Sequence, residues 1–144
     1  MKANKKGFTL IELLAVIVIL AIIALITVPV VINIINNAKK GAAEDSTYGV
    51  IEAAKLFWVS NQMNFENSNT TIEFTYNTTS KKWTTSNNAG STATELEISG
   101  TKPTAASGGK ITISNGEVTV VGLKFGDYVC KTENGKAVCT KSNS

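Results

Sequence analysis

The chain has 144 residues, enough for about one domain, and its 43% hydrophobic residues are concentrated near the N-terminus. Its 14 basic residues exceed the 11 acidic ones only through Lys2, Lys5 and Lys6, so no dense cationic surface and no specific nucleic-acid partner are expected. The absence of histidine and the presence of only two cysteines argue against a metal site, a cofactor and enzymatic activity.

The first predicted element is a long apolar helix. The segment from Leu13 to Ile32 reads LLAVIVILAIIALITVPVVI and contains no charged residue. A helix of about 20 apolar residues spans about 30 Å, the thickness of the hydrocarbon core of a bilayer. A cleaved secretory signal is disfavoured, because the run is long and is followed by NIINNAKK rather than a small-x-small site. The lysines that precede the run predict a cytoplasmic N-terminus.

Glu12 interrupts the apolar character of this helix near its start. Toward the bilayer centre an acidic side chain costs about 2.5–3.5 kcal/mol. A plain membrane anchor gains nothing from such a residue. We therefore expect the carboxylate to have a partner or a specific task.

The segment around this carboxylate, KKGFTLIELL, resembles the processing site of type IV prepilins and pseudopilins. The resemblance implies that a prepilin peptidase removes a leader of residues 1–7 by cleaving between Gly7 and Phe8. It also implies that Phe8 is then N-methylated, that Glu12 is the acidic residue of the family motif, and that Pro29 is its helix-loosening proline.

Processing of this kind would supply Glu12 with a partner. Phe8 and Glu12 are four positions apart, so in a helix they share one face about 6 Å apart along the axis. The new α-amine of Phe8 in one subunit can then meet Glu12 of a neighbour, which neutralises the charge and disfavours an unpaired subunit. For Pro29 two interpretations stay open: the helix tolerates it, or the helix kinks or unwinds there during filament packing.

The helical pattern continues beyond the apolar run to about Asn61. Lys40 with Glu44, and Glu52 with Lys55, are expected to pair on the exposed side of this second part. Residues at three- and four-residue spacing predict an amphipathic stripe packed on its own domain, with the last two as core anchors: Ala43, Thr47, Val50, Ile51, Ala54, Phe57 and Trp58.

After Asn61 the pattern changes to strands. Alternation predicts strands at Thr71–Tyr76, Lys82–Thr85 and Leu96–Ser99, and a hairpin of Lys110–Ser114 and Glu117–Val121 around Asn115-Gly116. The predicted buried face of the hairpin carries Ile111, Ile113, Val118 and Val120. The expected fold class is α+β, a long N-terminal α-helix packed against a C-terminal antiparallel β-sheet. The expected parts are the leader 1–7, a hydrophobic helix 8–35 and an extracellular domain 36–144 whose helix ends near residue 61.

A second Asn-Gly pair, Asn134-Gly135, lies between the two cysteines. A two-residue turn there places Cys130 opposite Cys139 at a non-hydrogen-bonded pair, where Cα atoms are about 4.5 Å apart. This spacing predicts a disulfide. Closing the short loop is worth about 2.5–3 kcal/mol in the chain-entropy model and indicates an oxidising exterior.

Three functions are compatible with these features. The first is a structural subunit of a type IV pilus, which the resemblance implies is single-pass in the cytoplasmic membrane before assembly and extracellular afterwards. Its implied partners are copies of itself, minor pilins, prepilin peptidase, and an assembly platform with its ATPase, and its filament would serve adhesion, motility or biofilm formation. The alternatives are a pseudopilin of a secretion or DNA-uptake machine, and a membrane-tethered binding module.

Overall fold

The computed structural model describes residues 7–64, 71–85 and 95–142. Over these residues the chain forms one long helix followed by a six-stranded antiparallel sheet, so the α+β class predicted from the sequence is confirmed. The chain divides into two compact units, one ending at Ala38 and the other beginning at Lys39. Of the predicted leader 1–7, only Gly7 is among the described residues.

Helix α1 comprises Leu10–Asn61, 52 residues, which corresponds to about 78 Å at 1.5 Å per residue. It ends where the sequence predicts, and the Asn61 side chain donates a hydrogen bond to the Phe57 carbonyl oxygen at 2.9 Å. This side-chain bond is local to the last turn of the helix. The helix starts two residues later than expected, because Thr9 caps it from outside.

The strands are β1 (Thr71–Asn77), β2 (Lys82–Thr85), β3 (Thr104–Ser114), β4 (Glu117–Phe125), β5 (Tyr128–Glu133) and β6 (Lys136–Lys141), in the sheet order β2-β1-β3-β4-β5-β6. The predicted hairpin is the β3–β4 pair. Asn115 and Gly116 form its turn with φ of 51° and 81°, as a type I′ turn requires.

The expected strand at Leu96–Ser99 does not form. This segment makes a single bridge, Thr84 to Glu95, and one further hydrogen bond in which the Leu96 N–H donates to the Trp83 carbonyl at 2.9 Å. Leu96 and Ile98 are nevertheless buried. The alternation of apolar and polar residues at Leu96–Ser99 therefore reflects burial of two side chains in the core and not the hydrogen bonding of a strand.

Strand β3 begins at Thr104 rather than at Lys110, and its register against β4 shifts between Ala105 and Lys110. Two glycines make this irregular stretch fit, because a Cβ on Gly109 would lie 2.5 Å from the Gly122 carbonyl oxygen. The low strand propensity of glycine conceals this part of the strand from sequence analysis.

The part of α1 that belongs to the second unit packs on one face of the sheet. Phe57 meets Phe74 of β1 edge-to-face, with ring centroids 5.0 Å apart. Trp58, the other expected anchor, is half-buried beside Gly116 of the β3–β4 turn, and Val118 is half-buried as well. The predicted stripe on α1 is otherwise confirmed, its buried members being Ala43, Thr47, Val50, Ile51, Ala54 and Phe57.

Candidate assembly helix and disulfide hairpin

The described residues of the first unit form an apolar helix with exposed side chains. Every large hydrophobic side chain from Leu10 to Ile35 is exposed, from 43% at Val31 to 85% at Leu10. By length and composition this helix can cross a membrane. Exposed apolar surface on this scale indicates a partner, either lipid or other protein.

Thr9 and Glu12 form a reciprocal cap at the start of this helix. The Thr9 backbone N–H donates to Glu12 Oε2 at 2.8 Å, and the Glu12 N–H donates to Thr9 Oγ1 at 3.3 Å. The Thr9 hydroxyl also donates to Glu12 Oε2, at 2.8 Å. This is the capping-box pattern, in which a Thr N-cap and a Glu three residues later satisfy each other's backbone donors. Glu12 therefore has a local structural task that our sequence analysis missed, although Thr-Leu-Ile-Glu is a recognisable signal for it.

Gly7 and Phe8 lie immediately outside the cap. Both are exposed and neither belongs to α1. A Cβ on Gly7 would meet nothing within 4 Å. The sequence analysis expected Phe8 and Glu12 to share one helical face. In the structure the helix begins at Leu10, so Phe8 lies outside it and the two residues share no helical face. They remain separated by little more than one turn of chain.

Pro29 lies within α1, which is assigned as a continuous helix on both sides of it. Proline has no N–H, so the carbonyl of Leu25 lacks its usual helical donor. Two residues before the proline, the Thr27 hydroxyl donates to the Ile23 carbonyl oxygen at 2.7 Å. Such side-chain bonding to the preceding turn is associated with slight bending of helices. The apolar half therefore lacks one helical hydrogen bond at Pro29.

In the second unit, β5 and β6 form the hairpin that holds both cysteines. Cys130 lies directly opposite Cys139, as the turn at Asn134-Gly135 predicts, and the two Cα atoms are 4.1 Å apart. The structure contains a disulfide between them. Both cysteines are buried against α1, where Cys130 Sγ lies 3.8 Å from the Ala43 carbonyl oxygen. The disulfide thus belongs to the contact between helix and sheet.

Side chains of α1 also bind the outer edge of β6, the last strand of the sheet. The Ala137 N–H donates to the Tyr48 hydroxyl oxygen at 3.2 Å, and the Cys139 N–H donates to Glu44 Oε1 at 3.4 Å. Lys40 Nζ lies 3.7 Å from the same oxygen, Glu44 Oε1, so the predicted Lys40–Glu44 ion pair is confirmed. These bonds occupy two backbone donors of an edge strand. Free donors on such an edge can pair with strands of other chains.

No group of three His, Cys, Asp or Glu side chains that could hold a metal ion occurs within the described ranges. Three of the predicted site residues lie close together at the helix start: Phe8 and Glu12, with Gly7 before them. Pro29 and the two cysteines are separate features elsewhere in the chain.

Comparison with known proteins yields one match. Neither a curated protein nor a solved structure matches the chain. The family model described as "Prokaryotic N-terminal methylation motif" matches residues 2–28, a range that contains Gly7, Phe8, the capping box and most of the apolar run. The chain therefore carries the class III prepilin-type signal of type IV pilins and pseudopilins.

Proposed function

We propose that this chain is the structural subunit of a type IV pilus. Prepilin peptidase cleaves the precursor between Gly7 and Phe8, Phe8 is N-methylated, and the mature chain polymerises through the apolar half of α1. One observation carries the proposal: the methylation motif of residues 2–28 overlaps the apolar half of α1, whose hydrophobic side chains are exposed and whose first turn carries Glu12. The role is structural rather than enzymatic.

The surroundings of the proposed cleavage site support this processing step. The backbone of Gly7 is exposed, and without a Cβ it can approach a protease closely. The scissile bond lies before Thr9, so cleavage leaves every hydrogen bond of the capping box in place. The mature chain would keep its helix start and add a free amine next to it.

The capping box also supports a pairing between Glu12 and the Phe8 amine of a neighbour. Both hydrogen bonds from Thr9 reach Glu12 Oε2, and Oε1 accepts none from the described residues. A carboxylate has about four acceptor positions, so a second oxygen can receive an incoming amine while the first holds the cap. The cap thus orients the carboxylate before the partner arrives.

The proposal also specifies where the subunit resides. Before assembly, the apolar half of α1 spans the cytoplasmic membrane once with its N-terminus inside, and domain 36–144 lies outside. After assembly, the apolar half, residues 8–35, is covered by other copies in an extracellular filament. The buried Cys130–Cys139 disulfide fits an oxidising exterior. The further partners are minor pilins, prepilin peptidase, and the assembly platform with its ATPase.

Mass spectrometry of protein sheared from the cell surface tests the proposal directly. We expect a chain that begins at Phe8, carries one added methyl group and lacks two hydrogens at the cysteines. A chain that retains Met1 to Gly7 and stays in the membrane fraction would identify a plain tether. If its deletion abolishes protein export or DNA uptake while surface fibres persist, the chain is a pseudopilin.

Replacing the carboxylate tests the pairing. Glu12→Val should lower the fraction of subunit recovered in sheared fibres by at least about tenfold, because it leaves the neighbour's amine unpaired in an apolar setting. The matched control is Glu97→Val, which removes an exposed carboxylate far along the chain and should assemble normally. Unchanged fibre yield from the Glu12→Val subunit would refute the pairing.

A further inference from the structure

The second unit carries an exposed apolar surface on α1. Leu56 and Val59 are 69% and 66% exposed, on the side of the helix away from the buried stripe. Two charged residues stand beside them, Glu52 and Lys55, which form an ion pair with an N–O distance of 3.3 Å. We name the surface of Leu56 and Val59 with these two charges the apolar knob.

The same unit carries a pocket near the start of its part of α1. Its volume is about 270 Å³. Its walls include Ala42 of the helix together with Phe125 and Tyr128, the residues that flank the β4–β5 turn. Two exposed charged residues, Lys39 and Asp127, also line it. An apolar cavity of about 150 Å³ already accepts a molecule as large as benzene, so this pocket has room for an aliphatic side chain.

We propose that the apolar knob of one copy of this chain fills this pocket of a second copy. The charges around the two surfaces are complementary: Glu52 can face Lys39, and Lys55 can face Asp127. Such complementarity at the rim of an apolar contact fixes its register. The inference rests on the proposed function, and it identifies a contact between extracellular domains in addition to packing of the apolar helices.

The positions of the two surfaces along α1 determine the kind of assembly. The knob centres near residue 56 and the helical wall of the pocket near residue 42, so two parallel copies are offset by about 20 Å along the helix. The knob and the pocket are different surfaces, which makes the contact heterologous. A heterologous contact that does not close into a ring generates an open helical filament.

Two substitutions of exposed residues test the apolar part. Leu56→Ser removes the knob, and Ala42→Phe fills the pocket; each should lower the fraction of subunit in sheared fibres about tenfold. Met63→Ser is the matched control for Leu56→Ser, because it removes a fully exposed apolar side chain outside the knob. Denaturant unfolding followed by tryptophan fluorescence should show all three variants folded as wild type.

Charge reversal tests the register. Lys39→Glu and Glu52→Lys should each lower fibre yield about fivefold, and the double variant Lys39→Glu/Glu52→Lys should restore it to near wild type. Lys81→Glu, an exposed lysine in the β1–β2 turn, is the control and should have no effect.

The outcomes separate the two proposals. If wild-type subunit forms fibres while Leu56→Ser and Ala42→Phe assemble normally, the knob and pocket contact is wrong and the proposed function stands. If the charge reversals weaken assembly but the double variant does not recover, the proposed register is wrong. If wild-type subunit is never found in fibres, both the proposed function and this contact are refuted.

Discussion

Helix α1 contains two regions with the same backbone and opposite surroundings. From Leu10 to Ile35 its hydrophobic side chains are exposed on every side, whereas in the second unit one stripe, including Val50 and Phe57, is buried against the sheet. The backbone hydrogen bonds are those of a helix in both. The second region is covered by its own sheet, whereas the first exposes its apolar side chains, which indicates a partner of lipid or other protein.

The largest effect that separates the regions concerns their leucine and phenylalanine side chains. Phe57→Ala should destabilise the second unit by about 3–5 kcal/mol, because it removes a buried ring that packs edge-to-face on Phe74. Leu20→Ala removes an exposed side chain of the apolar half and should leave that stability unchanged.

Denaturant unfolding in detergent measures both effects. Tryptophan fluorescence reports the second unit alone, because the two tryptophans of the chain, Trp58 and Trp83, both lie there. Equal midpoints for the two variants would mean that the two regions of α1 are equally buried, which contradicts the comparison.

The disulfide should give the next largest effect, again confined to the second unit. The double variant Cys130→Ala/Cys139→Ala should lose about 2.5–3 kcal/mol of stability, the chain-entropy value for a loop of about ten residues. Wild-type protein unfolded in the presence of dithiothreitol should match the variant, and dithiothreitol should not change the variant. A difference between these samples would show that the alanines themselves disturb the contact with α1.

The sequence was sufficient for the features that rest on local chemistry. The apolar run, the end of α1 at Asn61, the type I′ turns and the register of the two cysteines each follow from residue type and spacing. Some features that depend on tertiary contact were missed. The alternation at Leu96–Ser99 indicated a strand, but it reflects burial of two side chains, and the glycines of β3 concealed a strand that exists.

The helix start shows the same limit at the candidate site. The family resemblance assigns Glu12 to a contact with another subunit, whereas the structure shows it bonded to Thr9 of its own chain. The capping-box signal was present in Thr9 and Glu12, three positions apart. The hydrogen bond from the Ala137 N–H to the Tyr48 hydroxyl oxygen, which we call the β6 tether, could not be predicted from the sequence, because it joins residues 89 positions apart.

A helical glycine gives a smaller effect of opposite sign. Gly49→Ala in α1 should stabilise the second unit by about 1 kcal/mol, since a Cβ there meets nothing within 4 Å and alanine favours helix. Gly109→Ala is the contrasting control and should destabilise, because its Cβ would lie 2.5 Å from the Gly122 carbonyl oxygen. If Gly49→Ala destabilises instead, that exposed face of α1 packs against something in the isolated protein.

The smallest expected change in stability concerns the β6 tether, which joins α1 to the edge of the sheet. Tyr48→Phe removes the hydroxyl that accepts the Ala137 N–H and should cost about 0.5–1 kcal/mol. The matched control is Tyr76→Phe, because the Tyr76 hydroxyl has no hydrogen bond among the described residues. Native-state hydrogen exchange should accelerate at the Ala137 amide and remain unchanged at Val138, which pairs with Lys131 on the inner side of β6.

This hydrogen-exchange measurement tests how the chain covers the edge of its own sheet, in contrast to the exposed apolar half of α1. The outer edge of β6 is closed by side chains of its own helix, whereas the apolar half of α1 has no such cover from the described residues. Faster exchange at Ala137 in the Tyr48→Phe protein, together with a greater tendency of that protein to self-associate through the freed edge, would show that the tether also prevents unwanted strand pairing. Equal exchange in the variant and in wild type would mean that the hydroxyl contributes nothing to closing this edge.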